Sequence, residues 1–214
     1  MYTPSTNAEH RPEVMFDFIE ANPLGVLVTS SSEGLFATHL PLLLDRSCGE
    51  HGGLEGHVAR ANPQHAFPGD ERDALVIFSG PDAYISPSFY PSKQRDGKVV
   101  PTWNYVAVHA YGRVRYTSDP VFLRNHVGRL TAHHEAGREA PWSVEDAPSE
   151  YVAQMLRAIV GVRIEITRLE GKWKMSQNRP AEDIDGVVSG LGAAADARAR
   201  DVAVVVQSRR PGAS

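Results

Sequence analysis

The sequence predicts a mainly β protein of the α+β class, an antiparallel β-barrel with helices inserted before and after its last strand. Three observations point there. Several short apolar stretches follow one another between residues 24 and 87 with turn residues between them, which argues for a barrel or sandwich and against a βαβ sheet. From Val106 onward the chain alternates: Val106, Val108, Ala110, Val114 and Tyr116 fall on one face, and His109, Tyr111, Arg113 and Arg115 on the other, the period of a half-buried strand. Helical spacing is confined to blocks outside these runs.

Along the chain, "RPEVMFDFIEAN" (11–22) sets Val14, Met15, Phe18 and Ile19 on one helical stripe, which Asn22-Pro23 ends. "LGVLVTS" (24–30) and "LFATHLPLLLD" (35–45) are strands around the turn "SSEG". The Gly-rich "CGEHGG" leads to a strand "LEGHVA" (54–59), and "DALVIFSG" (73–80) and "AYISP" (83–87) read as two more. A strand at 102–117 follows. "DPVFLRNHVGRLTAHHE" is a helix aligning Phe122, Leu123, His126, Val127 and Leu130. After the loop "GREAPWSVEDAP", a second helix stacks Tyr151, Val152, Met155, Leu156 and Ile159. The last strand, "VGVRIEITRLEGKWKMS", alternates Val162, Ile164 and Ile166 against Arg163, Glu165 and Thr167. The tail reads as two short helices split near Gly190 to Gly192, ending in a frayed "PGAS". One domain is expected over 1–192, with 193–214 as a C-terminal helix and frayed tail.

The 214 residues, 42% hydrophobic and 22% charged, suffice for a core without covalent staples. The single cysteine, Cys48, excludes an intrachain disulfide and fits a reducing cytoplasm. The N-terminus lacks a basic segment followed by an apolar run, and no stretch approaches the roughly 20 apolar residues of a membrane span, so a cytoplasmic protein without membrane contact is expected. A net charge of −4 gives no global attraction to nucleic acid.

Four stretches carry candidate chemistry. In "GHVARANPQ" a strand runs out at Arg60, and Asn62-Pro63 opens a short helical turn that Asn62 can cap. Free backbone N–H groups beside an arginine suit a phosphate; a capped turn with a solvated arginine uses the same residues. In "ATHLPLLL", His39 faces either a cleft or solvent, and Pro41 interrupts the ladder, freeing backbone groups for a planar ligand edge. "PTWNY" places two large aromatics and an amide at the mouth of the 102–117 strand. In "GKWKMSQNRP", Ser176, Gln177, Asn178 and Arg179 either line a site or form a turn. The nine histidines show no metal-ligand spacing, and no metal is expected.

Taken together, "MYTP", "ATHLPLLLD", "GHVARANPQ", "FSGPDAYISPSFYPSK", "GKVVPTWNYVAVHAYG", "PWSVEDAP", "IVGVRIEITRLEGKWKMSQNRP" and the "GLG" tail strongly resemble the PaiB-like family of FMN-binding negative transcriptional regulators, from Met1 to about Leu191. That family lies in the FMN-binding split-barrel superfamily with pyridoxamine-phosphate oxidases and flavin reductases. The resemblance implies a six-stranded Greek-key split barrel with peripheral helices, and a homodimer with FMN at the subunit interface. By position, it implies that Thr38, His39, Leu40 and Pro41 lie along the flavin ring, and that His57, Arg60, Asn62 and Gln64 hold the phosphate. Trp103, Asn104 and Tyr105 would wall the pocket from the partner subunit, and Lys174, Ser176, Gln177 and Arg179 would close it. This chain departs from the family at Ser5, Thr6 and Asn7, where a phenylalanine is common, and at Phe89, where tryptophan is common.

The resemblance implies a repressor acting through DNA, a protein partner or a redox signal. The basic clusters "SRRP" and Arg198/Arg200 read as solvated surface. The alternative is a flavin-dependent oxidoreductase or flavin reductase using NAD(P)H, with His39, Tyr105 or Lys174 orienting a substrate; no general base is identifiable.

Overall fold

A computed structural model describes residues 1–32, 34–67 and 72–212. Alternating apolar residues build one antiparallel sheet of eight strands. They are β1 (Ala8–Glu9), β2 (Leu24–Ser31), β3 (Gly34–Pro41), β4 (Leu43–Asp45), β5 (Gly53–Ala59), β6 (Arg72–Ile85), β7 (Thr102–Thr117) and β8 (Ile159–Lys174). The order is β3-β2-β6-β7-β8-β5-β4, and β1 pairs with the end of β8 through Ala8 opposite Lys172. Six helices accompany it: α1 (Pro12–Ala21), α2 (Ser92–Asp96), α3 (Pro120–Glu135), α4 (Ser149–Arg157), α5 (Ala181–Gly192) and α6 (Ala197–Ser208). This is the expected antiparallel split-barrel class, with two short strands, β1 and β4, beyond the six.

The sequence reading needs four corrections. The strand expected at 35–45 is two, because the chain leaves the ladder at Leu42, whose N–H bonds the Pro23 carbonyl (2.9 Å). Conversely, 73–80 and 83–87 form one continuous strand. Its first half buries Ala74, Val76 and Phe78 and its second half Ala83 and Ile85, so the inward parity changes at Gly80-Pro81 and imitates a turn. Gly80 is required there, since a Cβ would stand 2.5 Å from the Phe18 ring. In α1 it is Phe16, with Met15 and Ile19, that is buried. In α4 only Val152 is buried; Tyr151 and Met155 are exposed and Ile159 belongs to β8. The turn "SSEG" joins β2 to β3 with Ser31 opposite Gly34; its Glu33 lies outside the described residues, as do Ala213 and Ser214 of the tail.

The chain divides into two compact units. The terminal unit comprises Met1–Phe18, Ser79–Val108 and Glu170–Ser214, and the medial unit Ile19–Phe78 and His109–Leu169. The medial core gathers Leu27, Leu42, Leu54, Val76, Phe78, Val114, Leu123 and Ile164. The terminal core gathers Met15, Ile85, Tyr90, Val106, Met175, Ile184, Val187 and Val206. In the terminal unit Gly186 and Gly190 let α5 lie against the 87–91 segment: a Cβ on Gly186 would stand 1.9 Å from the Phe89 carbonyl oxygen, and one on Gly190 2.4 Å from the Phe89 ring. That contact fixes the segment carrying Tyr90.

Candidate functional site

In the terminal unit the start of β7, the end of β8 and the turn after it surround a cavity of about 150 Å³. Asn104, Lys174, Ser176 and Arg179 line it, together with Thr102 and Tyr90. Four of the residues that the family resemblance placed at the flavin thus meet around one space, with Asn178 of the same turn beside them. Lys174 Nζ donates to the Trp103 carbonyl (2.7 Å) and to Thr102 Oγ1. Burial pushes the Lys174 ammonium below its ordinary pKa; Tyr105 opposes the shift, and the charges of Lys172 and Arg179 add to it. The Arg179 guanidinium lies 4.8 Å from the centre of the Tyr90 ring. Burial raises the pKa of the Tyr90 hydroxyl, and the neighbouring Arg179 and Ser176 oppose the shift. Among the described residues the lining contains two cations and no carboxylate.

The turn that presents these cations is tightly specified. Ser176 has φ of +62°, the left-handed region that costs a side-chain-bearing residue energy. Its Oγ accepts from Asn104 Nδ2 (3.0 Å) and donates to Asn104 Oδ1 (3.3 Å), with both residues buried. Gln177 spends its amide on the backbone: Oε1 accepts from Met175 N–H (2.6 Å) and Nε2 donates to the Trp173 carbonyl (2.5 Å). Arg179 N–H bonds the Ser176 carbonyl (3.0 Å). Beside this, Trp103 is 53% and Tyr84 50% exposed, their rings edge to face at 6.0 Å. Tyr105 instead faces Lys172, whose Nζ lies 5.1 Å from the ring centre.

In the medial unit Asn62 caps the turn Pro63–Ala66 as its position suggested, its side chain accepting from Gln64 N–H (2.9 Å). Asn62 Nδ2 donates to Thr38 Oγ1 (2.9 Å). The fully buried Gln64 donates from Nε2 to Thr29 Oγ1 (3.0 Å), joining the turn to β2. Arg72 secures the other end of that turn, donating to the carbonyls of Gln64 (3.0 Å) and His65 (3.3 Å) from beside the Phe67 and Tyr116 rings. Leu40 is a core side chain, whereas His39 is exposed and Pro41 half-buried. Two other members point elsewhere. Arg60 donates to the carbonyls of Arg157 (2.6 Å) and Ile159 (2.9 Å). His57 Nδ1 is 3.1 Å from Nε2 of the fully buried His126.

Reading the sequence alone missed Thr102, Tyr84, Tyr90 and Arg72. Thr102 and Tyr90 lie inside quoted motifs, but nothing in their spacing marks a cavity. A second cavity, of about 190 Å³ in the medial unit, is lined by Arg113, Arg115 and Arg163 against Asp45, Glu55 and Glu165. Its charges balance, and Arg163 pairs with Glu55 (3.6 Å). Among the described residues no group of three or more His, Cys, Asp or Glu could hold a metal, and no helix is long and apolar enough to cross a membrane.

A family model described as "Putative FMN-binding domain" matches residues 1–168. An uncharacterized protein of Emericella nidulans is 36% identical over 226 residues, covering 89% of this chain and 90% of that one. The Bacillus subtilis "Protease synthase and sporulation protein PAI 2" is 31% identical over 210 residues, covering 98% of each. The chain belongs to the PaiB-like FMN-binding family. Its fold is also that of the FAD and heme binding protein from Mycobacterium smegmatis, with a TM-score of 0.59 at 14% identity, over 84% of this chain and 79% of that one. The cofactor of this PaiB-like chain is FMN. FMN carries a phosphate dianion at one end and a planar ring at the other. The terminal unit offers two cations without a competing carboxylate, and an exposed aromatic pair. The cavity is smaller than the roughly 300 Å³ of a pocket for a whole ligand of this size, so it suits one end of the molecule.

Proposed function

We propose that this PaiB-like protein is an FMN-dependent negative regulator in which Lys174 and Arg179 clamp the flavin phosphate. The observation carrying the site assignment is the cavity with two cations and no carboxylate in its lining. A dianion there replaces mutual repulsion between the cations with charge-assisted hydrogen bonds. The same anion relieves the buried ammonium of Lys174, whose basicity burial has lowered. Trp103 and Tyr84 supply an aromatic wall for the ring. Within the medial unit, Thr38, Asn62 and Gln64 brace β3 and the 63–66 turn against each other. Arg60 takes the bland role, holding carbonyls where α4 meets β8.

The regulatory reading draws on kinship with PAI 2 over nearly the full length of both chains. A net charge of −4 favours a protein partner over direct DNA contact as its route. A homodimer with FMN at the subunit interface remains part of the proposal. The oxidoreductase reading rests on Lys174, an amine of lowered basicity beside the cavity. The purified protein separates the two. A regulator retains a bound-flavin visible spectrum and consumes NAD(P)H no faster than free FMN does. Turnover of NAD(P)H that requires the protein and falls with Lys174→Ala would replace the regulator by an enzyme.

A further inference from the structure

Within this proposed anion clamp, Lys174 and Arg179 flank a residue in a conformation it does not favour. Ser176 sits at φ +62° without being glycine. A serine alone would leave that region, and the turn would re-form with the two cations differently spaced. What opposes this is local and buried. Asn104, 1% exposed on β7, exchanges two hydrogen bonds with Ser176 Oγ (3.0 and 3.3 Å). Asn104 holds the serine hydroxyl where the left-handed backbone places it. Gln177 completes the frame by bonding Met175 N–H and the Trp173 carbonyl, which ties the turn to the last residues of β8.

We propose that Asn104 is a positioning residue: it latches Ser176 in the left-handed conformation and so sets the spacing of Lys174 and Arg179 for one phosphate. The latch rests on the clamp reading for its purpose but not for its existence. It differs from a direct ligand contact in one consequence. Glycine adopts positive φ without a side-chain penalty, so a chain with Gly at position 176 needs no latch. Removing Asn104 alone strands the Ser176 hydroxyl in a buried place and frees the turn. Removing both partners leaves neither defect.

The test is a double-mutant cycle of wild type, Asn104→Ala, Ser176→Gly and the double variant, each titrated with FMN by flavin fluorescence and melted without ligand. Asn104→Ala is expected to bind FMN at least 10-fold more weakly and to melt several degrees lower. Ser176→Gly keeps the turn and lies closer to wild type in FMN binding, though it strands the buried Asn104 amide and melts lower, and the double variant recovers most of what Asn104→Ala lost. A double variant as weak as Asn104→Ala would make Asn104 a direct ligand contact and overturn the latch, as would wild-type binding and melting by Asn104→Ala. Should Asn104→Ala not fold, Asn104→Ser with and without Ser176→Gly gives the same comparison. If Lys174→Ala and Arg179→Ala both bind FMN as wild type does, the clamp reading falls. The melting temperatures of the same four proteins then decide the latch alone: recovery in the double variant supports it, and no recovery ends it.

Discussion

Arg60 carries two readings in sequence, and in space its guanidinium bonds backbone carbonyls. Beside a capped turn it looks like a phosphate ligand, yet its Nε and a terminal nitrogen donate to the carbonyls of Arg157 and Ile159, and its N–H bonds Ala158 O (2.8 Å). A cation at a helix C-terminus satisfies carbonyls that the helix leaves open. Arg60→Ala should lower stability by about 1–2 kcal/mol, the loss of one or two net hydrogen bonds, in denaturant titration. Its effect on FMN affinity should be smaller than that of Lys174→Ala; a larger one would return the phosphate to Arg60. At this scale the sequence showed which side chains could do chemistry but not which had already spent their donors. The Gln177 amide, consumed by two backbone groups, and His57, facing another histidine, are legible only from partners distant in the chain.

At the scale of elements, α3 docks on β5 through two side-chain ties, Arg129 to Glu55 and His126 to His57. The helical stripe placed His126 inward, and the alternation of β5 placed Glu55 and His57 on one face; that these faces meet follows from topology, which spacing does not encode. Phe122 stacks parallel to His126 at 5.9 Å and carries Arg163 on its ring. Burial, and then the neighbouring His57 and Arg129, pull the His126 pKa down to about 4 from an ordinary 6.5. A histidine depressed in the folded state binds its proton first in the unfolded chain. Stability is therefore complete above pH 6.5 and falls as pH drops from 6.5 towards 4, by on the order of 3 kcal/mol for this group. Denaturant midpoints across that window should show the decline in wild type, and His126→Phe should flatten it. An unchanged slope would mean that other groups carry the acid sensitivity. Boundaries misled the sequence reading where local rules conflict with packing. Gly80-Pro81 reads as a turn, but β6 runs through it, and the glycine leaves room for the Phe18 ring.

For the whole molecule, the antiparallel class, the inserted helices and the family were legible because long motifs occur in order from end to end. The site was legible in part. "PTWNY" and "KWKMSQNRP" do meet, joined by Asn104 and Ser176. Tyr90 joins the same cavity beside Phe89, which Gly186 and Gly190 admit against α5, a contact across nearly a hundred residues of chain. If FMN binds only the folded protein, saturating flavin should raise the melting temperature, and a dimer-shared site would make that rise depend on protein concentration. In the proposed function Lys174 and Arg179 hold the phosphate. The most direct test is paired titration of wild type, Lys174→Ala and Arg179→Ala with FMN and with riboflavin, which lacks only that group. Losing a charge-assisted contact of roughly 1.5–3 kcal/mol should weaken FMN about 10- to 150-fold in each variant and leave riboflavin nearly unaffected. Equal losses for the two ligands, or none for FMN, would contradict the account.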